Sequence, residues 1–426
     1  MIGILGIIAI VVCLFLGTPI FCVFGAAALL GWYTEGTSIS VVGTDIFRLS
    51  GNFVLVTIPM FTYAGYLLGE SGAPQRLVKL SRAFFGLIPG GLAVVSIVAC
   101  SLFTALTGAS GITIAALGSL LLPALLHDKY SESFSLGLVT TGGSLGLLFA
   151  PSVPLIIYGV ITETPVSDMF IAGVIPGLMM LFILCAFSIF VAEREKIPRS
   201  PLKWKTLKKA LWEAKWEVPL PFVVLGGIYG GFITVSEAAA VAAFWVLIVE
   251  VLIHKEISLS HHRKAIHDSM VMVGGILIIM AAALASTNYF IDVDVPMMIF
   301  DFIQEIVSTK FLFLILLNCF LFVLGMFLDI FSAIFVVVPL ITPVAQEYGI
   351  NTVHLGIIFL ANMQIGYMTP PLGIGLFISS YRFKKGILKI TAACLPFIIL
   401  LIASVLLITY WPDLSLFLLR VMGKPY

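Results

Sequence analysis

The sequence predicts an all-α polytopic membrane protein. It has 426 residues, of which 60% are hydrophobic and 11% charged, and its mean hydropathy is +1.15. A soluble domain carries about a quarter charged residues, so a lipid bilayer must cover much of this apolar surface. Two long apolar stretches are interrupted near their middle, and Pro and Gly recur around them, which predicts an internal repeat. The net charge of +1 gives no reason to expect a nucleic-acid partner.

Nine apolar runs are predicted to cross the membrane, since a transmembrane helix needs about 20 apolar residues. They lie near 2–31, 52–70, 134–162, 169–192, 218–233, 235–253, 269–291, 353–380 and 390–411. The first run has no basic segment before it and is too long for the apolar core of a signal peptide. We therefore expect it to be retained as the first span.

Two further apolar stretches, 88–126 and 311–346, are interrupted by turn-forming or polar residues. The interruptions are Thr107-Gly108-Ala109-Ser110-Gly111 and Gly325-Met326-Phe327-Leu328-Asp329. Each half is short for a full span, so both stretches predict re-entrant helical hairpins that enter and leave on the same side. Lipid does not tolerate such broken backbone, so the hairpin tips must lie in protein or line a cavity.

The positive charges support this topology. Five segments hold 19 of the 23 Lys and Arg residues: 74–86, 127–133, 193–217, 254–268 and 381–389. With both hairpins re-entrant, all five lie on one side, which the positive-inside rule assigns to the cytoplasm together with the N-terminus. Reading either hairpin as one full span would break this agreement.

An internal repeat is visible at an offset of 220 residues. The matching pairs are Pro123 with Pro343, Gly146 with Gly366, Pro151 with Pro371, and Pro176 with Pro396. Because an odd number of spans separates the hairpins, the two copies are expected to be inverted relative to each other. Inverted repeats with paired broken helices are typical of secondary transporters, with the binding site near the midplane.

The repeat predicts five consecutive parts of the chain. They are scaffold helices (1–73), an arm helix, first hairpin and broken helix (74–162), scaffold helices with a cytoplasmic linker at 193–217 (163–291), a second arm, hairpin and broken helix (292–380), and a last scaffold helix with the C-terminus (381–426). The arms, 74–87 and 295–309, mix charged and apolar residues as interfacial helices do.

Two stretches that follow the hairpins, 141–152 and 362–371, predict discontinuous helices. Proline removes a backbone donor and glycine lets the chain leave helical geometry. The freed carbonyls, with the hydroxyls of Ser144, Thr369 and the hairpin tips, form oxygen sites suited to a small cation. The N-termini of the half-helices would attract an anionic substrate. The alternative for either stretch alone is a simple kink, since Gly and Pro are common in membrane helices.

Single polar residues leave two interpretations open. Asp329 at hairpin depth is either a cation ligand or the N-cap of the helix that begins near Ser332. Glu237, three residues after Thr234, predicts a capped helix start. The six histidines fall in loops or at span ends and are expected to be solvated: His127, His254, His261, His262, His267 and His354.

Several chemistries are missing from the sequence. It contains no G-x-x-x-x-G-K-[ST], HExxH or GxSxG motif, so we expect no ATP hydrolysis through a P-loop, no enzyme activity and no cofactor. An ion channel and an intramembrane lipid-modifying enzyme are the alternatives to a secondary transporter. The enzyme would need acid, base or metal groups clustered at one depth, and Asp329 stands alone.

Six stretches resemble the large membrane subunit of tripartite ATP-independent periplasmic (TRAP) transporters. They are Ile58-Pro59-Met60-Phe61 with Ala64-Gly65, Thr107–Thr113, Gly118–Pro123, Gly146–Pro154, Gly325–Asp329 and Gly366–Gly373. The similarity extends over essentially the whole chain. One departure is Ala150-Pro151-Ser152, where the family usually has Pro-Pro-Ser, and this puts the sharpness of the first break in doubt.

The resemblance implies an elevator-type transporter of the ion-transporter superfamily in the inner membrane of a bacterium, coupled to Na⁺. It also implies a small membrane subunit, a periplasmic substrate-binding protein and an organic-acid substrate such as a C4-dicarboxylate or a sialic acid, with the sialic-acid branch as our first expectation. We then expect Na⁺ to be bound by Thr107, Gly108, Ser110, Gly142, Ser144 and Gly146, and by Gly325, Met326, Asp329, Ser332, Gly366, Met368 and Thr369. We expect substrate to be bound by Thr107, Ser110, Ser144, Pro151, Ser332, Asn362 and Pro371.

Overall fold

The computed structural model of the chain describes residues 16–85, 90–108, 110–197, 204–307 and 309–426, with positions 6, 8–10, 12 and 13. Every regular element in these parts is a helix, as the sequence predicts. Most of the predicted span 2–31 that precedes residue 16 lies outside the described residues, and so does Ala109 of the first hairpin tip.

The chain before the first hairpin forms four helices. They are α1 (Ile20–Thr34), α2 (Ser40–Ser50), α3 (Thr57–Glu70) and α4 (Ala73–Phe85). A 3₁₀ turn at Phe53–Val56 leads into α3, and the Asn52 side chain caps it by accepting from the Val54 amide. Helix α4 coincides with the first predicted arm.

The first hairpin and broken helix follow as predicted. The hairpin consists of α5 (Gly91–Thr107) and α6 (Ser110–His127), and the broken helix of α7 (Glu132–Gly142), a 3₁₀ turn (Leu145–Leu148) and α8 (Val153–Ile161). Gly108 at the tip has φ +65°, a conformation that glycine adopts without a steric penalty. The two halves of the broken helix are bent by 40°.

The middle of the chain forms α9 (Val166–Arg194), α10 (Trp204–Glu213), α11 (Pro219–Tyr229), α12 (Val235–Leu247) and α13 (Leu259–Asp292). Helix α12 starts with a capping box, because the Thr234 side chain accepts from the Glu237 amide and Glu237 accepts from the Thr234 amide. This confirms the predicted cap. A π-helical turn, Ile248–Ile253, ends α12.

The second half repeats this order. It contains α14 (Val295–Ile306), α15 (Lys310–Phe327), α16 (Ile330–Glu347), α17 (Thr352–Gly366), α18 (Ile374–Phe383), α19 (Ile387–Tyr410) and α20 (Asp413–Val421). Subtracting 220 places α15 and α16 at 90–107 and 110–127, within one residue of α5 and α6. Each broken helix also contains one cis peptide bond, Ala150-Pro151 and Pro370-Pro371.

The helices pack into two groups. Helices α1, α3, α12 and α13 pack on one another, whereas α9 packs on α5 and α17, and α19 packs along α7 and α17. The groups meet where α3 contacts α5 and where α13 contacts α16. The sequence analysis assigned α9 and α19 to the scaffold, but their neighbours here are the hairpins and the broken helices.

Eight helices in the described parts are long and apolar enough to cross a membrane, or up to nine if the bent pair counts as one span. They include three hairpin halves, α6, α15 and α16, each with 18 residues. The expectation that every hairpin half is too short for a span is therefore wrong for these three. Large exposed apolar side chains line this helical surface, among them Phe182, Phe222 and Phe244, as expected of lipid-facing positions.

One histidine differs from its prediction. His354 is 3% exposed, and its ring nitrogens lie 3.2 Å from Ser415 Oγ and 3.3 Å from the Thr409 carbonyl oxygen. It is thus a buried residue of the hairpin group rather than a solvated loop residue. In contrast, His127 and His267 are exposed as predicted.

Candidate ion and substrate site

The first predicted ion site is enclosed by protein. Thr107, Ser110 and Ser144 are 0%, 4% and 1% exposed. The Ser144 hydroxyl donates to the Thr141 carbonyl oxygen at 3.0 Å. The structure therefore brings the tip of the first hairpin and the first helix break into one buried, oxygen-rich region.

Two threonines that the sequence analysis did not select also belong to this region. Thr104 Oγ1 donates to the Gly143 carbonyl oxygen at 2.8 Å, and it lies 2.7 Å from Thr113 Oγ1. Thr104 thus holds a carbonyl freed by the helix break. Both threonines flank the hairpin tip in an apolar stretch, and this position is the signal that would have found them.

The first break also contains an unpaired polar atom. Ser152 Oγ is fully buried and has no hydrogen-bond partner among the described residues. A buried polar atom without a partner costs free energy, about 1–3 kcal/mol. A polar ligand at this break would offset that cost.

The second predicted site rests on a close backbone contact. A Cβ atom added to Gly366 would lie 2.5 Å from both Cα and C of Gly325. In the first repeat, a Cβ on Gly146 would lie 2.6 Å from the Ala105 amide nitrogen. The two contacts are related by the same offset of 220 residues, so each hairpin presses its last turn against the equivalent break.

Asp329 is an N-cap, as one of its two interpretations predicts. Its Oδ2 accepts from the amides of Phe331 and Ser332 at 3.0 and 3.1 Å. Ser332 is buried, and the Leu372 amide donates to the Met326 carbonyl oxygen at 3.2 Å. The tip of the second hairpin is thus tied to the second break, and cation binding by Asp329 stays a prediction.

The two breaks are joined to each other but differ in exposure. Ser144 Oγ lies 3.7 Å from the sulfur of Met368. Residues 141–148 are buried throughout, whereas Pro370, Pro371 and Leu372 are exposed. The repeat in the sequence predicts two equal sites, and the structure encloses the first while the second opens to the outside of the chain.

Three predicted residues lie in contrasting surroundings. Asn362 donates to Asn318 Oδ1 at 2.8 Å and to the carbonyl oxygen of Ile358 at 2.9 Å, so its amide is used within the hairpin group. Pro151 is buried behind the first break, whereas Pro371 is exposed. Thr369 donates to the Ile365 carbonyl oxygen at 2.9 Å.

Apolar helices on all sides, two hairpins that end inside the protein and two broken helices define a polytopic membrane transport protein. A model of the family described as Tripartite ATP-independent periplasmic transporter, DctM component, matches residues 7–414. The chain belongs to this family, which confirms the resemblance seen in the sequence. Its relatives are named as transporter permeases, not as enzymes, as predicted.

Two relatives and one solved structure illustrate the similarity. The isethionate TRAP transporter permease protein DctMQ of Oleidesulfovibrio alaskensis is 33% identical over 407 residues, which are 95% of this chain and 64% of that protein. This chain therefore spans less than two thirds of that relative. The C4-dicarboxylate TRAP transporter large permease protein DctM of Pseudomonas aeruginosa is 33% identical over 387 residues, 91% of each chain. The crystal structure of the Alcanivorax borkumensis YdaH transporter has a TM-score of 0.53, with 12% identity and coverage of 86% and 89%, and it supports the fold alone.

Proposed function

We propose that the chain is the large membrane subunit of a sodium-driven uptake system for a small organic acid in the inner membrane of a bacterium. The observation that carries this proposal is the pair of equivalent contacts in which Gly325 meets Gly366 and Ala105 meets Gly146. Each contact holds a hairpin tip against a helix break, where backbone and hydroxyl oxygens are gathered. Membership of the TRAP family supports it.

Sodium fits the chemistry of these sites. Na⁺ is a hard cation that binds oxygen ligands, and the first site offers the hydroxyls of Ser110, Ser144 and Thr104 beside freed carbonyls. In the described residues there is no group of three or more His, Cys, Asp or Glu that could hold a metal. The site is thus suited to a weakly bound monovalent ion, which must bind and leave in every transport cycle.

The substrate and partners follow from the family and from the sequence. The two relatives above are named for isethionate and for C4-dicarboxylates, both anions, and the sequence resemblance favours a sialic acid as the first candidate. The family is one component of a tripartite transporter. We place a small membrane subunit and a periplasmic substrate-binding protein beside this chain, with its N-terminus in the cytoplasm.

We further propose an elevator motion in which the hairpin group slides along α1, α3, α12 and α13. Since α9 and α19 pack on the hairpins and broken helices, we include both in the moving group, which revises the domain arrangement expected from the sequence. At the seam, Gly65 of α3 lies against the tip of the first hairpin, with a Cβ position 3.1 Å from the Leu106 carbonyl oxygen. Small residues at a seam allow close approach without interlocking side chains.

A buried ion cluster fixes the first arm to the scaffold. Arg76 of α4 lies 2.5 Å from Glu217, 2.8 Å from Glu250 and 2.7 Å from Glu256, and the Arg76 and Glu250 side chains are 8% and 0% exposed. Burial alone would lower the pKa of Arg76, but the three carboxylates outweigh it and raise the pKa above its usual value. The guanidinium therefore stays charged.

The other end of the arm contacts the hairpin group. Arg82 pairs with Asp128 at 3.1 Å, and a Cβ on Gly90 would lie 2.7 Å from Cβ of Ala192 in α9. The arm is thus held to the scaffold at one end and to the hairpin group at the other. A bend between these two ends would let the hairpins move while the arm remains attached.

Replacing Arg76 by Met should destabilise the protein strongly. The change leaves Glu217 and Glu250 buried without a cation, and breaking such a pair costs about 3–5 kcal/mol. The matched control is Lys79→Met, which removes the pair of Lys79, 63% exposed, with Glu213, and exposed pairs are worth about 0–1 kcal/mol. Thermal unfolding in nanodiscs measures both variants. Equal losses of thermal stability would show that the cluster does not anchor the arm.

The proposed function is tested by uptake into vesicles that contain the chain with its two partners. Sialic acid, succinate and isethionate are offered separately, each with sodium or with choline outside. We expect saturable, sodium-dependent uptake of one of these acids. Flux that does not saturate would indicate a channel, and no uptake of any acid would contradict the proposal.

A further inference from the structure

A polar crevice lies at the seam between the two helix groups, outside the predicted ion sites. Its volume is about 240 Å³. It is bounded by α2, the Asn52 turn and α13 on one side, and by the end of α8 and by α16 on the other. Its polar lining residues are Arg48, Asn52, Glu163, Thr287 and Asn288. In the topology proposed above, all five lie on the periplasmic side.

Arg48 stands out among the cations of this side. Four Lys and Arg residues lie outside the five basic segments: Arg48, Lys310, Arg420 and Lys424. Lys310 donates to the Gly349 carbonyl oxygen at 2.7 Å, Arg420 pairs with Asp413, and Lys424 pairs with Asp168. Arg48 is exposed, and no described acidic residue lies within ion-pair distance of it. Its guanidinium is therefore available to a ligand.

The neighbouring side chains add hydrogen-bond donors. Asn52 accepts from the Val54 amide through Oδ1, which leaves its NH₂ group without a hydrogen bond to the described residues. Thr287 and Asn288 are half-buried and likewise make no side-chain hydrogen bond with the described part of the chain. A guanidinium with nearby amide and hydroxyl donors is the set of groups that recognises a carboxylate or sulfonate.

We propose that this crevice is an anion subsite that receives the carboxylate or sulfonate of the organic acid before it reaches the hairpin tips. The proposal rests on the proposed function for the side of the membrane and for the substrate class. Both helix groups line the crevice, with Met280 and Ala283 on one side and Phe335 and Pro339 on the other. A relative movement of the two groups would therefore reshape the subsite and release the anion. Glu163 in the same crevice weakens the attraction, so the subsite binds and releases quickly.

Thiol chemistry tests the local preference for anions without any transport. Thr287→Cys, in a background in which the six native cysteines are replaced, is treated with a negatively and a positively charged methanethiosulfonate of similar size. We expect the ratio of the two rates, negative over positive, to fall roughly three- to tenfold when Arg48→Gln is added, the effect of one unit charge several ångströms away in water. Glu163→Gln should raise the ratio, and Lys310→Gln should leave it unchanged.

Uptake provides the second measurement. Arg48→Gln should raise the KM for the transported acid with little change in maximal rate, and Arg48→Lys should restore part of the loss. A rate ratio in the thiol experiment that does not respond to Arg48→Gln overturns the subsite whatever the uptake result. If the ratio responds but no acid is taken up by the unmodified protein, the anion subsite stands and the proposed function fails.

Discussion

Gly366→Val should abolish uptake while the protein still inserts into the membrane. Even the first added carbon, the Cβ atom, would lie 2.5 Å from Cα and C of Gly325 and 2.7 Å from its carbonyl oxygen. Those atoms belong to backbone and cannot move like the end of a side chain, so the hairpin must separate from the break. Overpacking of this kind costs about 1–3 kcal/mol, and here the cost falls on the geometry of the second ion site. Sodium-driven uptake is the measurement, normalised to inserted protein.

The same substitution at a matched glycine provides the control. Gly274 lies within α13, and no atom lies within 4 Å of its added Cβ position. Gly274→Ala should therefore leave uptake unchanged, whereas Gly366→Ala should already reduce it severely. Wild-type uptake in both Gly366 variants would show that the contact with Gly325 has no part in transport.

A disulfide between the two helix groups should stop transport reversibly. Gly69 of α3 faces the first hairpin, and its Cβ position lies 3.3 Å from Cγ2 of Ile112. Disulfides need Cβ atoms about 3.5–4.5 Å apart, so Gly69→Cys with Ile112→Cys suits this geometry. The pair is made in a cysteine-free background and oxidised in vesicles. We expect uptake to disappear on oxidation and to return on reduction, because the cross-link holds the hairpin group against the scaffold.

A cross-link within the hairpin group distinguishes loss of motion from damage by oxidation. Thr140 Oγ1 and Ser379 Oγ lie 2.9 Å apart and join α7 to α18, which move together in the proposed elevator. Cysteines at both positions should form a disulfide and leave most uptake intact. If the Gly69–Ile112 cross-link forms fully and uptake continues, the elevator motion is wrong.

Much of the fold follows from local rules that the sequence displays directly. Hydropathy locates the apolar helices, and Gly and Pro mark the tips and breaks within a few residues. The Thr234–Glu237 capping box depends on neighbours three positions apart, so it could be predicted with its reason. Hairpin bounds that recur at an offset of 220 residues show how much of the architecture the repeat contains.

The arrangement of the helices could not be read in the same way. In a membrane protein, lipid-facing and protein-facing sides are both apolar, so hydropathy does not show which helices pack together. This is why α9 was expected in the scaffold. A clue was present in Gly173 and Gly177, a G-x-x-x-G pair typical of close helix contacts, because a Cβ on Gly177 would lie 3.0 Å from the Phe149 ring at the first break.

Contacts that are distant in the chain explain the remaining differences. His354 follows the loop before α17, and only its contacts with Thr409 and Ser415 bury it. Arg76 meets carboxylates more than 140 residues away, and no spacing rule connects them. Asp329 had two interpretations because a carboxylate at a helix start can cap the helix or bind a cation, and the cap was resolved only by the positions of the Phe331 and Ser332 amides.

The direct test of sodium-driven uptake is accumulation of the transported acid in vesicles under imposed gradients. The chain is reconstituted with the small membrane subunit and the loaded periplasmic binding protein. An inward sodium gradient should concentrate the acid above its outside level, and an inside-negative potential should increase accumulation, since one charge moved across 100 mV yields about 2.3 kcal/mol. Accumulation that is equal with sodium and with choline, or that does not respond to the direction of the gradient, would contradict the account.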